Sequence, residues 1–211
     1  MTVHDSLLAL MPRRLLAELK AIGARRHFAD GQVIHTQQTM SVGLSIVLHG
    51  RVCFGLYTES GDYYLTAILG AGHCFGEATL FADRPRAYHA DAFGDTEILS
   101  LTQRQFDHLY KREPRFSRAV TATVTQRLYE ALDFSDDLRH RSVEQQIVRL
   151  LSRVQRLGGF GDGVLPMRQQ DLVFSLGVSR ARVCQALDRL RAAGVLETRY
   201  RTIVMLASVN G

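Results

Sequence analysis

The sequence predicts an α+β fold: an N-terminal jelly-roll-like β domain, a long central dimerisation helix and a C-terminal winged helix-turn-helix. Three observations predict it. Short β-type runs punctuated by glycine fill residues 28–101, and an apolar stripe stepping by three or four residues runs through 115–137. Near the C-terminus, two helical segments flank a glycine turn and are followed by two more β-type runs. The corresponding units are residues 1–113, 114–138 and 139–211.

The stretch Leu7 to Ile22 is amphipathic and opens the first unit. Candidate strands follow at Val33–Ile34, Leu44–Leu48, Val52–Tyr57, Tyr63–Leu69, His89–Phe93 and Glu97–Leu101. Gly31, Gly50, Gly61, Gly72 and Gly94 stand near the breaks. Many short strands at this spacing read as a sandwich or roll. A helical run from Gln103 to Lys111 stops before Pro114, which cannot continue it. The next helix spans about Arg115 to Asp137, and Val120, Val124, Leu128 and Ala131 form a narrow stripe suited to a two-helix seam. Residues 135–141 are charged and poor in core residues, which reads as a hinge. Ser142 with Gln145 forms a capping box for a helix ending at Gly158-Gly159.

Composition bounds the function. The chain has 211 residues, 46% hydrophobic and 22% charged, in the range of soluble globular proteins. It carries no apolar run near the roughly 18 residues that a membrane span needs. The N-terminus has no signal-peptide pattern, so a cytoplasmic location is expected. Cys53, Cys74 and Cys184 are far apart and form no metal-binding pattern; free thiols are expected. Residues 1–138 hold 14 basic against 16 acidic side chains, a balance of −2, and residues 139–211 hold 12 against 5, a balance of +7. All 12 are Arg, whose planar donor fork suits phosphate oxygens and guanine edges.

Within the basic third, residues 168–175 and 179–192 read as two helices joined by a turn at Gly177-Val178. Leu172, Val178, Val183, Leu187 and Leu190 would lock them together. Ser179 caps the second helix and leaves its positive end free. Ala181 and Gln185 each lie about 160° around the helix from the inward Val183, so they face outward. Arg180 at the helix start reaches the same face. Arg is suited to guanine and Gln to adenine, whereas Arg182, Arg189 and Gln169 are placed for phosphate contacts. The runs Val195–Glu197 and Thr202–Leu206 make a wing whose tip carries Arg199 and Arg201.

With these residues in view, the chain resembles the CRP/FNR family over nearly its whole length. The resemblance rests on the glycine-punctuated roll, Phe75-Gly76-Glu77 with Pro85-Arg86-Ala87, the central helix, and Ser179-Arg180 with Val183, Leu187, Leu190 and Gly194. It implies a homodimeric DNA-binding transcription regulator on a two-fold symmetric duplex site, with an effector in the roll and RNA polymerase as a partner. Gly76 to Ala87 is similar to a cyclic-nucleotide phosphate cassette. There Glu77 would bond a ribose hydroxyl and Arg86 the cyclic phosphate, with Gly76 and Ala87 shaping the turn. Ala87 follows the arginine as in cAMP-dependent kinase regulatory subunits, which favours cAMP over cGMP; bacterial receptors have Ser or Thr there. The adenine-recognising Thr-Ser pair of those receptors falls at Ala131-Leu132. The family's Ser-Arg-Glu becomes Ser179-Arg180-Ala181 and its later Arg becomes Gln185, which implies an altered half-site.

Other readings stay open on the residues. Gly76 and Glu77 can instead hold the roll turn, with Arg86 paired to Glu77, in a family member with a degenerate effector site that binds DNA constitutively or senses another small molecule. His73 and Cys74 could ligate a haem iron. A ligand-binding module with no DNA role would lack a salt-sensitive DNA affinity. No nucleophile with a base, carboxylate pair or HExxH spacing points to catalysis, so an enzyme is not expected.

Overall fold

The computed structural model describes residues 6–40 and 43–206. A 3-10 turn at Leu8–Leu10 leads into α1, Arg13–Ile22, which lays Leu15 and Leu19, four residues apart, onto the core. The first sheet contains β1 (Ala24–Phe28), β2 (Val33–His35), β3 (Gly43–Tyr57), β4 (Tyr63–Gly70), β5 (Cys74–Phe75) and β6 (His89–Thr102). Its order is β1-β6-β3-β4, with β2 also on β6 and β5 on β3, and every pairing is antiparallel. Strand β4 is therefore an edge.

Each of the two longest strands reads as two in the sequence and runs through as one in the structure. The β3 and β6 ladder extends from Gly43 opposite Thr102 to Gly55 opposite His89, with register shifts between Val47 and Arg51. Gly50 sits at one shift with φ +74°, and a Cβ there would lie 2.3 Å from the Asp95 carbonyl oxygen. The glycine marks a bulge that bends the strand without ending it. This bend curls the sheet around an interior that includes Val47, Phe54 and Phe75.

Helix α2, Glu77–Ala82, is a short turn off the roll. Helix α3, Gln103–Arg112, starts from a capping box in which Thr102 and Gln105 satisfy each other's amides. Pro114 then occupies the first turn of α4, Pro114–His140, where its missing N–H costs nothing. The start of α4 is pinned: Phe116, Ala119 and Val120 are buried against α1, α3 and the sheet, and Thr123 is buried one turn further on. Val120 belongs to this core within its own chain, so it cannot line an external seam. From Val124 onward one face of the helix is open, with Val124, Leu128, Ala131 and Leu132 exposed, while Phe134 and the buried Asp137 face the C-terminal half.

The hinge expected at 135–141 is helical to His140. Charge there supports the helix: Arg139 donates to Ser135, His140 lies 3.1 Å from Asp136, and the Asp137 carboxylate binds both Arg141 and Arg149.

The C-terminal half comprises α5 (Val143–Gly158), β7 (Val164–Leu165), α6 (Gln169–Leu176), α7 (Arg180–Ala192), β8 (Leu196–Arg199) and β9 (Thr202–Met205). The strands form a small sheet ordered β7-β9-β8. Ser142 and Gln145 build the expected capping box, and Gly177 ends α6 at φ +63°. Leu172, Val183, Leu187 and Leu190 pack with Ile147 and Leu151 of α5. The same apolar cluster includes Leu65 and Ile68 of β4, so this half is seated against the edge of the roll.

Candidate nucleic-acid interface and effector site

Helix α7 presents a polar, positive face because its large apolar residues are committed inward. Val183, Ala186, Leu187 and Leu190 are buried, whereas Ser179, Arg180, Ala181, Arg182 and Gln185 are exposed. Ser179 caps the helix by accepting from the Arg182 amide at 3.4 Å. Among the described residues, Arg180, Arg182 and Arg201 enter no ion pair, and their guanidinium groups project into solvent. Arg189 differs: its Nη1 lies 2.6 Å from Glu144 Oε1 on α5. Arg199 likewise pairs with Glu197 at 2.9 Å.

The wing completes this face. Arg201 turns the β8–β9 hairpin at φ +58°, and the neighbouring Tyr200 is 89% exposed. A cleft of about 270 Å³ lies between the start of α6 and the wing, and Gln169, Arg199 and Arg201 line it together. Gln169 also joins the two helices of the motif, since its Oε1 accepts from Cys184 Sγ of α7 at 3.6 Å.

A second polar site lies in the roll. Gly76 has φ +102°, and a Cβ on it would meet Gly43 O at 2.3 Å and Arg86 Nη1 at 2.6 Å. Glycine therefore makes room for the arginine. The Arg86 backbone is clamped to the preceding loop, with its N–H on Thr39 O at 3.0 Å and its carbonyl accepting from Gln38 at 2.8 Å.

Glu77 does not pair with Arg86. Its Oε1 accepts from Nη1 of Arg127 on α4, and Nη2 of Arg127 donates to the Cys74 carbonyl. Arg127 was not among the residues expected here; the signal was a lone basic residue one turn before Ala131 on an apolar stripe.

Of the three buried side-chain polar atoms without partners among the described residues, two lie at this site, Glu77 Oε2 and Arg86 Nε; the third, Gln146 Oε1, is on α5. Arg86 is only 7% exposed, and burial pulls its pKa below the ordinary value, an effect that the Glu77 charge does not offset. His35, whose ring stands 5.8 Å from that of Phe75 and 6.3 Å from that of Phe54, is lowered to about 4 by burial and by the charges of Arg86 and His89. It is neutral at pH 7. A desolvated cation, an unfilled carboxylate oxygen and a neutral imidazole thus lie within electrostatic reach of one another in the roll, a donor and acceptor set suited to an anion that also carries a hydroxyl. Ala87 is exposed at the rim, and Ala131 and Leu132 offer no side-chain donor.

The haem alternative fits less well. Cys74 lies in the helix–sheet core, 1% exposed, and burial raises its thiol to about 12, aided by Glu77.

Comparison with known proteins matches both halves. Residues 25–113 fit the cyclic nucleotide-binding domain family, and residues 145–208 the Crp-like helix-turn-helix domain. The chain is 29% identical over 172 residues to the cyclic AMP receptor protein of Thermus thermophilus, covering 82% of this chain and 79% of that one. It is 22% identical over 196 residues to the nitrogen fixation regulation protein FixK of Bradyrhizobium diazoefficiens, covering 90% and 81%. Among solved structures, the global regulator CLP of Xanthomonas campestris superposes with a TM-score of 0.73 at 20% identity, covering 93% of this chain and all of that one. The catabolite activator protein of Thermus thermophilus does so with 0.56 at 27% identity, covering 93% and 91%. A curled sheet with a nucleotide-type cassette, a long helix and an exposed reading helix, joined in this order, place the chain in the CRP/FNR family of transcription regulators.

Proposed function

We propose that the protein acts as a homodimer whose roll binds a cyclic nucleotide, with cAMP favoured, and thereby sets two reading heads on a two-fold symmetric duplex. The sensor is residues 1–113, the connecting helix begins at 114, and the reading head is 139–211. The seam between protomers is the open stripe Val124, Leu128 and Ala131 of α4 with the neighbouring Leu132. Arg180 and Gln185 read bases, while Arg182, Arg201 and Gln169 hold phosphates. Arg189 and Arg199 join them by exchanging Glu144 and Glu197 for phosphate. The regulator works in the cytoplasm and passes its signal to RNA polymerase.

One observation carries the effector part of this reading: the two unpartnered buried atoms, Glu77 Oε2 and Arg86 Nε. Buried polar groups are normally satisfied, and an orphaned pair of opposite character in one region marks a place for a ligand. A cyclic phosphate offers acceptors to Arg86, and a ribose hydroxyl offers a donor to Glu77. Arg127 then holds the carboxylate and connects the pocket to α4.

Titration calorimetry with cAMP and cGMP on the wild type and Arg86→Ala tests this. The expected result is binding heat with cAMP and a loss of about 2 kcal/mol or more in the variant, the range for truncating one partner of a buried charged pair. Absence of heat with both nucleotides in the wild type would retire the cyclic-nucleotide reading and leave a regulator that binds DNA constitutively or senses another small molecule or haem.

A further inference from the structure

The start of α6 serves two structures at once. Arg168 is its N-cap and Asp171 its third helical residue, and Asp171 is 1% exposed. Asp171 Oδ2 accepts from the Arg168 backbone N–H at 2.7 Å and from Arg168 Nε at 3.1 Å. Its Oδ1 accepts from Arg168 Nη2 at 2.8 Å and, across the domain boundary, from the Leu65 backbone N–H at 3.1 Å. Arg168 Nη2 also donates to the Tyr63 carbonyl at 2.7 Å. Tyr63 and Leu65 lie on the edge strand β4, which pairs only with β3. The ion pair thus occupies the hydrogen-bonding groups that an additional strand would use. Next to it, the rings of Tyr64 and Phe174 stack with centroids 4.4 Å apart and planes 9° apart.

We infer that Asp171 is a positioning residue for DNA reading: with Arg168 it fixes the reading head to β4 and so sets the separation and rotation of the two reading helices in the dimer. This inference rests on the dimeric reading above. A two-fold symmetric site is read by heads about 34–36 Å apart, one helical turn of duplex. The gain from engaging both half-sites, on the order of 10²–10⁴-fold, exists only when geometry permits both at once. A head that swings freely loses that geometry, whereas one clipped to the sheet keeps it. The clip does not mask the reading face, since Arg180, Arg182 and Gln185 remain exposed while it is closed.

The test uses a palindromic duplex selected by the wild type from a random pool, the same duplex with about 5 bp inserted between half-sites to rotate one by half a turn, and a single half-site. Affinities are measured for the wild type, Asp171→Ala and Tyr64→Ala. The wild type should prefer the selected spacing over the insert by at least about 10²-fold. Each variant should discriminate by about tenfold or less, while its affinity for a single half-site changes by less than about threefold. Tyr64 lies on the sensor side, so its substitution cannot fray α6; should Asp171→Ala lose the half-site as well, Tyr64→Ala alone decides. Unchanged discrimination in Tyr64→Ala overturns the inference, and so does tighter binding of the selected duplex, which would mean that docking restrains reading. A wild type that binds the half-site as tightly as the palindrome and sediments as a monomer removes the dimeric reading itself, and this inference with it.

Discussion

Arg180 and Arg201 are both exposed and, among the described residues, enter no ion pair, yet the proposed reading gives them different work. Arg180 is the first residue of α7, the end that the proposed reading turns to a groove, whereas Arg201 is on the wing tip. Base contacts carry specificity and phosphate contacts carry register and salt dependence. Arg180→Ala should therefore cost about 1–3 kcal/mol on the selected duplex and relax preference at one base pair. Arg201→Ala should weaken all duplexes alike and reduce the salt slope by about one. Binding isotherms at several salt concentrations on selected and scrambled duplexes separate the two. Equal losses on both duplexes for Arg180→Ala would show that it holds phosphate. Arg189 has a sequence position as favourable as that of Arg182, but its pairing with Glu144 depends on α5 lying alongside α7, a tertiary fact that residue type does not carry.

At the scale of elements, periodicity was informative wherever one element packed on one surface. The capping box at Ser142, the glycine end of α6 and the cap at Ser179 were all readable, because each depends on residues within three or four positions. The long strands were not. Gly50 looks like a break and is a bulge, since the difference lies in whether a partner strand continues past it. Helix α4 shows a related limit. Its stripe looks uniform in sequence, but Val120 is wholly buried in its own chain while Leu128 is 57% exposed, because the roll covers only the first turns. Leu128→Asp should accordingly leave the protomer folded, convert dimer to monomer in analytical ultracentrifugation, and lower affinity for the palindrome by about 10²-fold or more. Val120→Asp should instead unfold the protomer, since it buries an unpaired charge. A Leu128→Asp protein that remains a dimer would move the seam off this stripe.

At the scale of the molecule, the decisive contacts join residues more than 100 positions apart, and several use backbone atoms that leave no trace in residue identity. The helix over 168–175 was legible, but the partners that Arg168 and Asp171 find are the carbonyl of Tyr63 and the amide of Leu65. Arg51 of β3 behaves similarly: Nε donates to Gly158 O at 2.7 Å, Nη2 to Gly159 O at 3.1 Å, and the guanidinium stands 4.4 Å from the Phe160 ring centroid. Together with the apolar cluster that includes Leu65 and Ile68 alongside the helix-turn-helix core, these contacts tie the two halves together. Differential scanning calorimetry at fixed protein concentration should then show a single transition with equal van't Hoff and calorimetric enthalpies. Arg51→Ala removes two charge-assisted hydrogen bonds and a cation–π contact, worth about 2 kcal/mol together after solvent exposure is allowed for. For a chain of this size the main transition should fall by roughly 4–8 °C. It should also split or broaden, because the reading head would melt apart from the roll. Two transitions already present in the wild type would show that the halves are only tethered, and would place the burden of orienting the reading heads on α4 alone.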